Sequence, residues 1–238
     1  MPLVSVVMPV LNEAETLGSS LGRLMPLIGD EHELIVVDGG SLDETVAIAR
    51  QFTPHVLRSA SGRARQMNAG AERAGGVHLL FLHADTELPS DAFGAVAEAL
   101  QTAQWGRFDL RLSGSHRAFR IIERMISWRS RCSGIATGDQ AIFVRSCVFR
   151  ALGGFAELPL MEDVELSKRL RKLSWPSCLR KTVRTSSRRW ETGGIVRTVV
   201  LMWTLRALFA LGVPPERLVR YYRNHGASTA ALDEDRPR

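Results

Sequence analysis

Leu79-Leu80-Phe81-Leu82-His83-Ala84-Asp85-Thr86 is the stretch from which the fold is read. Four consecutive apolar residues that turn abruptly polar describe a strand buried on both faces of a sheet. The run ends at His83 and Asp85, with Pro89 just beyond. A carboxylate there is costly unless something binds it. In open α/β sheets, ligands bind just outside the carboxyl ends of the strands. Asp85 therefore stands where a ligand or a metal ion would sit. The plainer alternative makes it a cap for a helix that starts near Ser90.

Upstream of this strand the chain alternates regularly. Leu3 to Met8 form an apolar strand closed by Pro9, and Asn12 and Glu13 lead into a helical pattern through Leu17, Leu21 and Leu24. Glu33 to Asp38 form a second strand, followed by Gly39-Gly40. Ser41, with Glu44 three residues on, is expected to cap the next helix, to about Phe52. A short strand lies near Val56, and Gly62 to Gly70 open a helix ending at Gly75-Gly76. Strands alternating with helices of this length predict βαβ units and a mostly parallel α/β sheet.

Downstream the pattern loosens. A helix to about Thr102 is followed by an alternating strand, Phe108 to Leu112, and an Arg-rich helix, His116 to Arg131. Gly138-Asp139-Gln140 reads as a loop entering a strand. Glu162-Asp163 start a helix with acids first and Lys/Arg last, an order that suits its dipole. Residues Arg180 to Arg189 are strongly basic, and Ile195 to Leu211 are apolar at nearly every position. The organisation expected is a catalytic domain over residues 1–191, divided into halves 1–106 and 107–191. A helical segment, 192–225, and a disordered tail, 226–238, complete it.

The 238 residues carry a formal charge of +6, with a sequence pI near 9.9, which favours anionic partners such as nucleotides or phospholipid headgroups. Cys132, Cys147 and Cys178 have neither metal nor redox spacing, and so sparse a set suits a reducing compartment. The first residues run straight into a strand, so no signal peptide is expected. These features point to the cytoplasm.

Asp38 and Asp85 close two strands of a parallel sheet and would face the same side. His83, two residues before Asp85, is expected to reach the same place. Mg²⁺ is commonly held by one or two carboxylates plus substrate phosphates. In the plainer reading, Asp38 merely bonds the Gly39-Gly40 turn. Glu162-Asp163 is a second acidic pair, fit for a general base or for helix capping alone. Arg188-Arg189-Trp190 could clamp phosphate oxygens or form a solvated basic face.

Taken in order, these motifs resemble the family 2 glycosyltransferases. The resemblance rests on Pro9 with Asn12-Glu13, on Asp38-Gly-Gly-Ser41, on Arg63, Arg65 and Asn68-Ala-Gly70, on His83-Ala84-Asp85, on Gly138-Asp139-Gln140 and on Glu162-Asp163. Within the family the set is similar to a bacterial subgroup often described as radical-SAM/selenodomain-associated glycosyltransferases. The resemblance implies a GT-A fold and an inverting transfer from a nucleotide-diphospho-sugar, UDP- or GDP-linked, to an acceptor hydroxyl, aided by Mn²⁺ or Mg²⁺. It implies that Pro9, Asn12 and Glu13 hold base and ribose, that Asp38 reads the base, and that Arg63 or Arg65 meets base or phosphate. Asn68, Ala84, Gly138, Asp139, Gln140, Arg188, Arg189 and Trp190 would complete the donor site. Asp85 would be a metal ligand, with His83 where the family usually has a first Asp. Asp163 would be the base, Glu162 beside it. No Gln precedes Arg188-Arg189-Trp190, so processivity is not implied.

Two other classes remain. A sugar-1-phosphate nucleotidyltransferase would want glycines straight after the first strand, and Pro9 to Glu13 contain none. A non-catalytic basic protein would explain the arginines but not the acids, and no nucleic-acid partner is expected. Arg197 and Arg206 interrupt the apolar run near residue 200, so no membrane span is expected. The alternatives for that helix are packing on the domain or lying on the inner face of the cytoplasmic membrane, which would suit a lipid-linked acceptor. Homo-oligomerisation is left open.

Overall fold

The computed structural model describes residues 2–225. The first half runs β1 (Val4–Val10), α1 (Ala14–Ile28), β2 (His32–Asp38), α2 (Thr45–Arg50), β3 (Val56–Arg58), α3 (Arg63–Arg73) and β4 (His78–Phe81). It continues through β5 (Thr86–Glu87), α4 (Ala92–Thr102), β6 (Trp105–Leu112) and α5 (Arg117–Ser133) to a 3-10 turn, Gly138–Gln140. Then come β7 (Phe143–Arg145), α6 (Ser146–Ala151), α7 (Glu162–Leu173), β8 (Ser177–Thr185), α8 (Arg188–Gly193), α9 (Ile195–Ala210) and α10 (Pro215–His225).

All eight strands join one sheet, in the order β3-β2-β1-β4-β7-β6-β8-β5. The four strands of the first half pair in parallel. β7 then runs antiparallel to both β4 and β6, β6 pairs parallel with β8, and β5 pairs antiparallel with β8. Four of these seven pairings are parallel, so the sheet is mostly parallel, as expected. β6 and β7 are joined through α5 and the 3-10 turn.

Side-chain alternation builds a core on each face. Val4, Val6, Met8 and Val10 of β1 join Leu34, Val36 and Leu80 under α1 and α4. Val7, Ile35, Val37, Leu79 and Phe81 face the opposite way, onto α3, α6 and α7. Gly70 allows α3 to lie close: a Cβ there would come 2.4 Å from Val7 Cγ1.

Two local expectations change. β4 ends at Phe81, so Asp85 lies in a turn before β5 rather than on the strand end. Strand alternation therefore does not align His83 with Asp85. Ser41 does not cap α2, which has no side-chain cap; its hydroxyl instead accepts from the Asn12 amide at 2.9 Å. A contact between loops has replaced a local one.

The inner face of α9 packs on the domain. Leu201 and Leu205, with Leu218 of α10, are buried against Ile135, Met161 and Val164. Lys168 Nζ lies 4.5 Å over the Phe209 ring. The outer face leaves Val196, Val200 and Trp203 exposed. Among the described residues no helix is long and apolar enough to cross a membrane. The tail expected at 226–238 lies outside the described residues.

Candidate active site

Two loops at the carboxyl ends of β1 and β2 form one wall. Asn12 has φ 48°, a conformation asparagine tolerates, and its Oδ1 accepts from the Leu42 amide at 2.8 Å. The Glu13 amide donates to Thr45 Oγ1 at 2.7 Å, and the Ala14 amide to Asp43 Oδ2 at 3.0 Å. Pro9 lies one residue inside the end of β1 and is partly exposed. Beneath the loops, Gln66 Nε2 donates to Val10 O and Val37 O, pinning the ends of β1 and β2 together.

Asp38 is fully buried. Its carboxylate accepts from the Gly40 amide at 3.1 Å and the Ser41 amide at 3.1 Å. The turn-holding alternative therefore describes this side chain. Gly40, at φ 101°, supplies the left-handed backbone the turn needs.

The basic residues of α3 separate. Arg65 Nε pairs with Glu157 Oε2 at 3.0 Å on the surface. Arg63 instead lies within electrostatic reach of Glu162 and lowers its proton affinity. Asn68 spends its amide on the Phe155 backbone, donating to O and accepting from N at 2.8 Å each, so it braces α3 against that turn. Of the three, only Arg63 is presented to the acidic pair.

At the centre, α7 delivers Glu162 and Asp163 from its first turn. The Gly138 amide donates to Asp163 Oδ2 at 2.8 Å, and the Val164 amide to Oδ1 at 2.7 Å. A Cβ on Gly138 would stand 2.7 Å from His83 Nε2 and 3.9 Å from Asp163 Oδ2, so the imidazole lies directly against this turn. Both acids keep a partly accessible edge yet sit deep in the protein. Burial pushes Glu162 up to about 7, the charge of Asp163 adds to this, and Arg63 opposes it. Burial also raises Asp163, against the pull of the Gly138 amide and of Arg206. The two acids share a raised affinity for protons.

Arg129 of α5 approaches the same place. Its Nη1 donates to Ile135 O at 3.4 Å, and its buried Nη2 has no hydrogen-bond partner. Burial and, after it, the charge of Arg206 lower its pKa to about 10 against the opposing pull of Asp139 and Asp163. Asp139 Oδ1 is likewise buried without a partner.

Asp85 is exposed, its Oδ1 3.3 Å from the Thr86 hydroxyl. Ala84 is buried in the core. One accessible carboxylate and one imidazole are donors that a divalent cation accepts when substrate oxygens complete its shell. Among the described residues no three His, Cys, Asp or Glu side chains converge to enclose an ion on their own. The donor set fits a cation shared with substrate.

Three further residues expected at the donor site lie as follows. Gln140 is fully buried, its Oε1 accepting from the Thr137 amide at 3.2 Å. Trp190 packs against the core under the sheet. Arg188 is exposed at the start of α8, its amide donating to Ser186 Oγ at 3.2 Å.

A family model described as Glycosyl transferase family 2 matches residues 5–148, which contain both loops, Arg63, His83, Asp85 and the Gly138 turn. The chain belongs to this family. A PGL/p-HBAD biosynthesis glycosyltransferase of Mycobacterium bovis (strain BCG / Pasteur 1173P2) is 31% identical over 180 residues, covering 65% of this chain and 63% of the relative. The match thus spans less than two thirds of that relative's length. A glucosyl-3-phosphoglycerate synthase of Mycolicibacterium smegmatis is 58% identical over 43 residues, 18% of this chain and 14% of that protein. Among solved structures, S. aureus TarS aligns with a TM-score of 0.61 at 16% identity, over 84% of this chain and 65% of TarS. The glucosyl-3-phosphoglycerate synthase of Mycobacterium tuberculosis, in complex with Mg²⁺ and uridine diphosphate, aligns with a TM-score of 0.57 at 19% identity, over 77% of this chain and 70% of that one. At such identities the likeness is one of fold, and the fold is GT-A, as the motifs implied.

Two features of this family 2 member go beyond its motifs. Gln66, inside the Arg63–Asn68 motif, organises the floor. Arg129 lies one position from the buried stripe Phe119, Ile122, Ser127 and Ser130 of α5, and helical spacing is the sequence signal that marks it as inward-facing.

Proposed function

We propose that this chain transfers a sugar from a nucleotide-diphospho-sugar, UDP- or GDP-linked, to an acceptor hydroxyl, with inversion at the anomeric carbon. The observation that carries the reading is the Glu162–Asp163 pair, deep in the protein, raised in proton affinity and bonded to the Gly138 turn beside His83.

The residues act as follows. The interlocked Asn12–Ala14 and Ser41–Thr45 loops, held from below by Asp38 and Gln66, receive base and ribose. Arg63 meets the diphosphate. Asp163, with each oxygen oriented by one backbone amide, keeps lone pairs for the acceptor proton. The acceptor oxygen loses that proton to Asp163 and attacks the anomeric carbon as the bond to the nucleotide breaks on the opposite side, in one displacement. Glu162 tunes the base through its own charge. Asp85 and His83 would hold a divalent cation, which when bound neutralises charge on the departing diphosphate. The aligned mycobacterial synthase carrying Mg²⁺ and uridine diphosphate supports that expectation.

The chain works in the cytoplasm on this reading, attached peripherally to the inner membrane face through exposed apolar residues flanked by arginines. The deciding experiment incubates the full chain with a panel of nucleotide sugars and Mn²⁺ and measures released nucleotide. Release confined to one donor type, and lost in Asp163→Asn, supports the proposal. No release from any donor overturns it.

A further inference from the structure

The cations around the acidic pair fall on two sides. Arg63 of α3 is the arginine whose charge reaches Glu162. Arg206 of α9 and Arg129 of α5 both lie within electrostatic reach of Asp163, and Arg129 also of Asp139. Arg63 belongs to the nucleotide half, whereas α5 and α9 come from the second half and the C-terminal segment. Packing brings the two arginines to the same side: α9 is held by Leu201 and Leu205 in one cluster with Ile135, Met161 and Val164, and Arg129 is bonded to Ile135 O in that cluster.

Arg129 Nη2 is buried and unpartnered. Arg206 belongs to none of the ion pairs among the described residues, and Asp163 lies within its electrostatic reach. The contrast with Arg107 is informative. That fully buried arginine spends its donors on Asp109, Ser130 Oγ, Phe108 O and Ser127 O, as a structural arginine does. A buried donor without an acceptor is a cost the fold keeps only where something else supplies the acceptor. A tetrahedral dianion is the group two converging guanidiniums hold best.

We propose that Arg129 and Arg206 seat a phosphate monoester carried by the acceptor, anchoring it so that its hydroxyl lies against Asp163. This rests on the glycosyl-transfer reading above. The phosphate is an anchor and is not altered: the hydroxyl gives its proton to Asp163, a carbon–oxygen bond to the sugar forms, and the bond to the nucleotide breaks. The phosphate can belong to a water-soluble acceptor or to the head of an amphiphile, and Trp128, next to Arg129 in the chain, is exposed.

The test is calorimetric titration of the full chain with glycerol 3-phosphate, octyl phosphate and, as neutral control, glycerol, each with and without saturating uridine diphosphate and Mn²⁺. Wild type should bind at least one ester and not glycerol. Arg129→Met and Arg206→Met should each weaken that binding by about tenfold or more, while nucleotide affinity changes by less than about threefold. Tighter octyl phosphate assigns the amphiphile; equal affinities assign the soluble acceptor. Because Arg129 is largely buried and its variant can unfold, the Arg206 variant on a partly exposed helix carries the test independently. The proposal is overturned if neither ester binds, if the esters compete with uridine diphosphate, or if both variants lose nucleotide as strongly as ester. Ester binding that needs both arginines in a chain that binds no nucleotide would leave the anion seat standing and overturn the donor reading instead.

Discussion

The amide of Gly138 donates to Oδ2 of Asp163 at 2.8 Å, joining a 3-10 turn to a helix that starts 25 residues later in the chain. That bond does two opposed things. It holds the carboxylate in one orientation, and it stabilises the charged form that burial disfavours. The result is a fixed carboxylate whose proton affinity is still raised.

Asp163→Asn should abolish most turnover, by about 10²–10⁴, because the acceptor proton loses its destination. An amide NH₂ facing either the Gly138 or the Val164 donor also leaves one amide poorly matched, so the melting temperature should fall. Donor binding should persist in the folded fraction. Intact turnover in that fraction would leave Asp163 as a helix cap alone.

Gly138→Ala tests the neighbouring imidazole. The added Cβ would stand 2.7 Å from His83 Cε1 and Nε2, closer than side chains approach, so His83 must move. Turnover should fall while uridine diphosphate affinity changes little. A variant with wild-type kinetics would mean that the position of His83 is immaterial to the reaction.

The raised proton affinity of Glu162 has a signed consequence. Its ordinary value is 4.5 and it is pushed up to about 7, so over that interval the folded chain holds a proton the unfolded chain has released. Its contribution to stability is therefore complete below about pH 4.5 and is lost as pH rises through 7. Burial lowers the pKa of His32 and His78, which slopes the other way. The readout is thus the difference between wild type and Glu162→Gln, whose side chain cannot ionise. Relative to the variant, wild type should lose melting temperature as pH rises from about 5 to 7. A constant difference would refute the shift.

How much of this was written in the sequence depends on the range of the interaction. The β1–α3 alternation and the acids of α7 follow local periods of two and 3.6 residues, and they fall where those periods put them. The apolar run does not show where β4 stops, because Leu82 and Ala84 are buried outside any strand, and Asp85 lies in the turn that follows. The local capping pattern at Ser41 does not reveal its partner, Asn12, 29 residues away. The bonds that the Gln140 and Asn68 side-chain amides make to backbone could not be read from the sequence, because a motif names residue types and not the atoms they bond. Arg129 and Arg206 come together only when α5 and α9 are packed.

Asp85→Ala should remove activity without unfolding the chain, since Asp85 is exposed and its carboxylate accepts from the hydroxyl of its neighbour Thr86. Full activity in EDTA would rule out a cation. His83→Asp replaces an imidazole, which suits Mn²⁺, with the oxygen donor that Mg²⁺ prefers. Activity should shift toward Mg²⁺. An unchanged metal profile would exclude His83 as a ligand.

Two helices present apolar side chains to solvent at the same spacing. Ile121, Met125 and Trp128 lie on α5, and Val196, Val200 and Trp203 on α9, each set at i, i+4 and i+7. Arg117 and Arg124 border the first stripe, and Arg197 the second, with Arg217 and Arg220 exposed on α10. Apolar ridges edged by guanidiniums suit an anionic bilayer surface, where each cation contributes about 1 kcal/mol. The inner face of α9 is buried on Met161 and Val164, so its outer residues can be changed without opening the core. The chain should co-sediment with anionic liposomes at low ionic strength and be released by salt. Val196→Ser with Val200→Ser and Trp203→Ser should weaken partitioning at unchanged melting temperature, and the matching α5 triple tests the other stripe. Protein that stays in the supernatant at low salt, or binding insensitive to both triples, would defeat membrane attachment and leave the stripes as ordinary exposed surface.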